Sequence, residues 1–282
     1  MRHVWRLAGA SFSAGLLLLV ACANPLPAVP APHPAPAASL PTQLSKLLPA
    51  DALLLGEQHD APEHQRIHQQ VMQALAGQGQ LAALVLEMAP QGGSTRGLPA
   101  QASESDIQTA LLWDESAWQW AVYGPAIVSA VRAGVPVLGT NLPTPGLRAT
   151  MRDTSLDQRL VASALAEQQQ RIRSGHCDML PESQIAPMAR VQIARDLAMA
   201  QTITDAAQAG RTVVLLAGHG HVAPSLGVPQ HLPPTFKAKA VLLLASQGDA
   251  AMESVANFDA VWSTGPIPPR DYCAEFKVTR KP

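Results

Sequence analysis

Carboxylates and imidazoles recur directly behind short apolar runs in this chain. Gly56-Glu57-Gln58-His59 follows Ala52 to Leu55, and Glu87 follows Leu84-Val85-Leu86. Thr140-Asn141 comes after Val135 to Leu138, and Gly218-His219-Gly220-His221 follows Thr212 to Leu216. A charged group beside an apolar strand is costly unless it is paired. Taken singly, each of these residues reads equally well as a cap or a satisfied buried polar group. Together they read as a site, with His59, Glu87 and His221 able to activate water directly or through a metal. The spacing matches no HExxH, paired CxxC or GxSxG pattern, so it does not by itself select metal or serine chemistry. Gly56, Gly218 and Gly220 allow a sharp exit from a strand and close approach of a ligand. His64 and His68 are four residues apart and share a helix face, away from Glu63 and Arg66. Of the two, His64 is nearer the helix N-terminus and better able to reach a crevice, while His68 reads as a surface or edge residue. His33 and His231 read as structural or solvated, and His176 as a loop residue.

Such residues converge only if the elements carrying them are parallel. Short apolar runs alternate here with longer helical periodicities, which predicts βαβ units. The expected fold class is α/β, a mainly parallel central sheet flanked by helices with a helical hairpin insertion. Strands are expected at Ala52 to Leu55, Leu81 to Leu86, Val135 to Leu138, Thr212 to Leu216, Ala240 to Leu244 and, as an edge, Phe258 to Trp262. Helices are expected over Pro62 to Ala76, after a Ser103 cap, and over Glu115 to Ala133, the last kinked or broken at Gly124-Pro125. The hairpin comprises Leu156 to Arg173 and Glu182 to Ala209. In an open parallel sheet the loops after the strands meet in one crevice, where the polar strand ends would gather.

The N-terminus carries Arg2, His3 and Arg6, then an apolar run from Leu7 to Val20, the order of an export signal. The run is short for a transmembrane helix, which needs roughly 20 apolar residues. It closes on Leu19-Val20-Ala21-Cys22, a lipobox-like end that makes residues 1–21 a signal peptide and Cys22 the lipidated first residue. Residues 22–41 hold Pro25, Pro27, Pro30, Pro32, Pro34, Pro36 and Pro41 among alanines, a polyproline-like tether. Residues 42–282 form the expected domain, and the 47% hydrophobic content of the chain supports a sizeable core. Ala23 after the cysteine favours the outer membrane over other sites in a bacterial envelope. Without Arg2 and Arg6, 18 of the 20 basic residues face 21 acidic ones, a net charge of −3 that does not call for nucleic acid. With Cys22 lipidated in an oxidising compartment, Cys177 and Cys273 remain as a disulfide pair.

The two GxxH elements, Gly56-Glu57-Gln58-His59 and Gly218-His219-Gly220-His221, resemble the paired signature of a superfamily. It joins ChaN haem-binding lipoproteins, Tiki proteases, TraB-like proteins and erythromycin esterase-like enzymes. The ChaN branch resembles the chain best, through His64, Leu86-Glu87-Met88, Pro136-Val137 to Asn141-Leu142-Pro143 and His176-Cys177. Met188, Arg195-Asp196, Gly220-His221-Val222, Gly227-Val228-Pro229 and Asp271-Tyr272-Cys273 extend the likeness from about Leu44 to Cys273. The chain departs at His219, where a small polar residue such as Asn is expected, so an added ligand there stays open. The resemblance implies haem binding for iron uptake, with haem held between two copies of the chain in a homodimer. Haem needs an apolar slot, an axial ligand and partners for its propionates. Tyr123 and Tyr272 are the available phenols. Tyr123, in the aromatic Trp118 to Tyr123 segment, is the first choice for iron, and His64 for a propionate or second ligand, with His59 and His221 nearby. The enzymatic branches imply the alternative, a hydrolase using His59, Glu87 and His221.

Overall fold

The apolar runs become six strands in the computed structural model, which describes residues 39–245 and 257–274. These are β1 Ala52–Glu57, β2 Leu81–Pro90, β3 Val137–Asn141, β4 Thr212–Gly218, β5 Ala238–Leu244 and β6 Ala260–Ser263. Their order is β3-β2-β4-β1-β5-β6, and every pairing is parallel. The helices are α1 Leu40–Ser45, α2 Pro62–Gly77, α3 Glu104–Ala110, α4 Trp120–Arg132, α5 Leu147–Arg152, α6 Ala162–Gly175, α7 Glu182–Ala206 and α8 His219–Val222. The described residues fall within one compact unit. The expected signal, Cys22, His33 and most of the tether lie outside them. Among the described residues no helix is long and apolar enough to cross a membrane.

Both faces of the sheet are covered, as parallel sheets require. Alternation along β1 sends Leu53 and Leu55 to one face, against Val71, Met72 and Leu75 of α2 and Ile127 of α4. Ala52 and Leu54 point to the other, against Met199 and Ile203 of α7. The expected hairpin is present as α6 and α7. A disulfide joins Cys177, in the turn between them, to Cys273.

Two expectations about α4 are corrected. The helix starts at Trp120 rather than Glu115, because Glu115 turns back and its Oε2 accepts from the Trp120 N–H at 3.0 Å. Nor is it broken at Pro125, which lies inside it. The carbonyl that a proline cannot bond belongs to the fourth residue before it. That residue, Ala121, is exposed, so water can satisfy the carbonyl.

Candidate functional site

β4 inserts between β1 and β2, so the ends of these three strands lie side by side. The β1–β4 register pairs Glu57 with Gly218 and thereby brings the two GxxH elements together. Close approach, rather than a left-handed backbone, explains the glycine at 218: a Cβ there would lie 3.0 Å from His59 Nε2.

Glu57 is fully buried and is the hub of the first half of the site. Its Oε1 accepts from His59 Nδ1 at 2.7 Å and from the Tyr123 hydroxyl at 2.7 Å. Its Oε2 accepts from Gln65 Nε2 at 2.8 Å and lies 3.5 Å from His68 Nδ1. Burial works to raise the Glu57 carboxyl, but the His59 hydrogen bond, the His68 ring and the Tyr123 hydroxyl outweigh it and hold it below the usual range. An ionised carboxylate only accepts, so His59 Nδ1 carries a proton. The free edge of His59, Nε2, then faces Glu87, 4.0 Å from its Oε2. Burial lowers the His59 pKa, while Glu57 and Glu87 raise it and win.

The second half mirrors this arrangement. His221 Nδ1 donates to Asp196 Oδ1 at 2.5 Å, and its Nε2 lies 3.4 Å from Glu87 Oε1. Glu87 Oε2 also accepts from the Gly218 N–H at 2.7 Å. Burial opposes ionisation of all three groups, yet Glu87 and Asp196 push the His221 imidazole up to about 10. Against its own burial, the Glu87 carboxyl falls to about 2 beside His221. Burial lifts Asp196 to about 6, with His221 pulling it back. Two carboxylate-held imidazoles therefore converge on one ionised glutamate.

The site opens into a cleft of about 1260 Å³ at the carboxyl ends of the strands. Trp118, Val122 and Ile172 give it an apolar wall, and the Trp118 ring packs edge-on against His59 with centroids 4.9 Å apart. Arg171 from α6, with Arg270 and Tyr272 from the segment after β6, line the mouth beside His219. Tyr272 is 53% exposed, its hydroxyl donates to Asp60, and the Arg270 guanidinium lies 5.2 Å from the centre of its ring.

A sequence model described as haem-binding uptake, Tiki superfamily, ChaN matches residues 43–232. The chain belongs to the ChaN family. A solved structure of this family, described as cofacial heme binding to ChaN of Campylobacter jejuni, superposes with a TM-score of 0.61 at 20% identity. The superposition covers 75% of this chain and 88% of that one, so the ChaN fold is shared over most of both. The type III effector HopBA1 aligns with a TM-score of 0.48 at 14% identity, over 83% of this chain and 97% of that chain. No curated protein sequence matches the chain.

Against this ChaN fold, the residues singled out by sequence divide sharply. His59, Glu87, His221 and Tyr123 come together, and His219 joins them at the mouth of the cleft. His64 does not: it is fully buried, its Nδ1 accepts from the Gln58 N–H at 3.0 Å, and its Nε2 donates to Thr264 Oγ1 at 3.1 Å. Burial, with His68 beside it, lowers its pKa to about 4. The expected surface position of His68 is also corrected, since α2 buries it behind Glu57 at 1% exposure. Tyr123 is only 3% exposed, and burial together with Glu57 pushes its phenol pKa upward. Asp196 had no assigned role in the sequence reading, although a signal existed. Ala189, Ile193, Asp196, Ala200 and Ile203 repeat at helical spacing on the buried seam of α7. A carboxylate in such a seam demands a partner. Among the described residues no cluster of three or more His, Cys, Asp or Glu is arranged to hold a metal ion.

Proposed function

We propose that this protein is a haem-binding lipoprotein of the bacterial envelope that serves haem or iron uptake, anchored through Cys22 and carried above the outer membrane on its proline-rich tether. Membership of a haem-binding uptake family supports the haem, and the cleft fits it. A planar apolar ring with two carboxylates and a metal centre needs an apolar wall, cations and an axial donor. Trp118, Val122 and Ile172 supply the wall, Arg171 and Arg270 the cations, and the exposed phenol of Tyr272 the donor. Bound haem would contribute a ferric centre, while the chain positions and shields it.

The observation that carries the ligand assignment is the contrast between the two tyrosines. Both phenols donate to a carboxylate, but a phenolate at Tyr123 would face Glu57 2.7 Å away in a buried setting, whereas Tyr272 and its partner Asp60 are both exposed, so water screens that pair, and Tyr272 lines the cleft. We therefore move the iron ligand from Tyr123 to Tyr272. Titration with ferric haem tests this by absorption spectroscopy: Tyr272→Phe should lose the phenolate charge-transfer band, and Tyr123→Phe should keep it. The reverse pattern would return the role to Tyr123.

One observation favours hydrolysis as a second reading, namely the two carboxylate-held imidazoles around Glu87. With its carboxyl at about 2, Glu87 is a weak base at neutral pH, so His59 is the better proton carrier. If the parent cleaves a panel of ester or peptide substrates, His59→Gln should lower kcat by roughly 10²-fold or more. Equal turnover in that variant rejects the assignment.

A further inference from the structure

The segment from Gly265 to Cys273 runs along the cleft, which its Arg270 and Tyr272 line, and is secured at both ends. At its start the Gly265 N–H donates to Glu63 Oε2 at 2.7 Å, and the Thr264 N–H donates to the Leu244 carbonyl at 2.9 Å. Pro266, Pro268 and Pro269 follow, and a proline offers no backbone N–H with which to bind the body of the protein. At its far end Tyr272 donates to Asp60, and Cys273 is bonded to Cys177. Arg270 and Tyr272, which line the cleft, thus sit just before the covalent attachment.

Cys177 lies at the tip of the α6–α7 hairpin, directly beyond Arg171, Ser174 and Gly175, which line the same cleft. It and Asp178 both have a left-handed backbone, with φ of 58° and 55°. Consecutive non-glycine residues in that region are uncommon and persist where the surroundings fix them. Cys177 and Cys273 are both partly exposed, so an attacking thiolate can reach the bond.

We propose that the Cys177–Cys273 disulfide is a redox latch that holds the Arg270–Tyr272 strap along the cleft, and that its reduction releases the strap and the ligand beside it. This rests on the haem reading for the identity of the ligand, but not for the movement of the strap. A dithiol supplies two electrons and two protons. One thiolate attacks a cystine sulfur, the Cys177–Cys273 bond breaks, and the second thiol closes the reductant to its own disulfide. Both cysteines are left as thiols. The hydrogen bond to Asp60 then remains at that end of the strap, on an exposed residue.

The test uses the full chain in three states: oxidised, reduced with a dithiol and alkylated, and as Cys177→Ser/Cys273→Ser. Alkylation keeps a free thiol from binding iron, and alkylation without reduction is the control. Affinity for ferric haem and backbone hydrogen exchange are measured on each. The latch predicts at least tenfold weaker haem binding in the reduced and double-serine states, with faster exchange in the Gly265–Tyr272 peptide and unchanged exchange in β1 and β4. Equal affinity in all three states overturns the gating of haem. Unchanged exchange in the strap overturns the latch itself. If the oxidised parent binds no haem, the haem reading fails alone, and the latch stands or falls on exchange.

Discussion

Two buried imidazoles of this protein end with opposite proton affinities: burial disfavours the charged ring of both, and only His221 has carboxylates hydrogen-bonded to it. Burial, with His68 beside it, lowers the His64 pKa to about 4, and its Nδ1 accepts from the Gln58 N–H. His221 lies between two carboxylates, and its pKa rises to about 10. This sets the sign of one pH effect. His221 binds its proton more tightly in the folded chain than in the unfolded one, where its pKa is about 6.5. Its contribution is therefore complete below about 6.5 and disappears as pH rises through about 10. Between pH 7 and 9 the slope amounts to at most about 1.4 kcal/mol per pH unit. Glu87, at about 2, stays ionised over that window and does not oppose it. Urea unfolding at pH 7 and 9 should show this decline in the parent and a shallower one in Asp196→Asn, which lacks the anchoring charge. Parallel slopes in the two proteins would contradict the pairing.

At the scale of elements, the strand ends and the short helix α8 act as one rigid support. The chain leaves β4 at Gly218, forms α8, and returns through Ala223 to Gly227, whose N–H donates to the Ala223 carbonyl at 2.8 Å. Gly227 packs directly against the backbone of His221, and a Cβ there would collide with the His221 carbonyl. Gly227→Ala must therefore push α8 away from β1 and displace His221 from Glu87 and Asp196. A loss of about 1–3 kcal/mol is expected from such overpacking. Gly220→Ala, directly before His221, is the matched control, because a Cβ at Gly220 meets nothing within 4 Å. Thermal melts should separate the two variants clearly, and equal melting temperatures would show that the loop yields without cost.

For the whole molecule, the exposed Tyr272 and its neighbour Arg270 put part of the cleft lining on the outer surface. A pair of copies related by a two-fold axis would bring the same patch, including Tyr272 and Arg270, against itself. The homodimer expected from the family resemblance predicts that ferric haem converts monomer to dimer in sedimentation velocity, and that Tyr272→Phe weakens the conversion. Haem-loaded monomer at all concentrations would rule out sharing. In cells, the proposed anchor requires Cys22→Ser to move the protein from the membrane fraction to the soluble fraction.

The sequence by itself determined the α/β class, the parallel strands, the hairpin and the positions of the polar strand ends. These follow from local periodicity, which depends on residues a few places apart. The cysteine pair was also legible, because composition left two candidates once Cys22 was set aside. Tertiary structure alone decided which polar groups became partners. The Glu57–Gly218 pairing joins strands far apart in the chain, and the Asp196–His221 pair depends on how α7 lies over the sheet. It likewise turned His64 inward to Thr264, placed Tyr123 beneath Glu57, and brought Tyr272 to the cleft mouth. A residue's type fixes the chemistry it can perform, but its burial and its partner are set by segments distant in sequence, and these fix its charge and its access to a ligand.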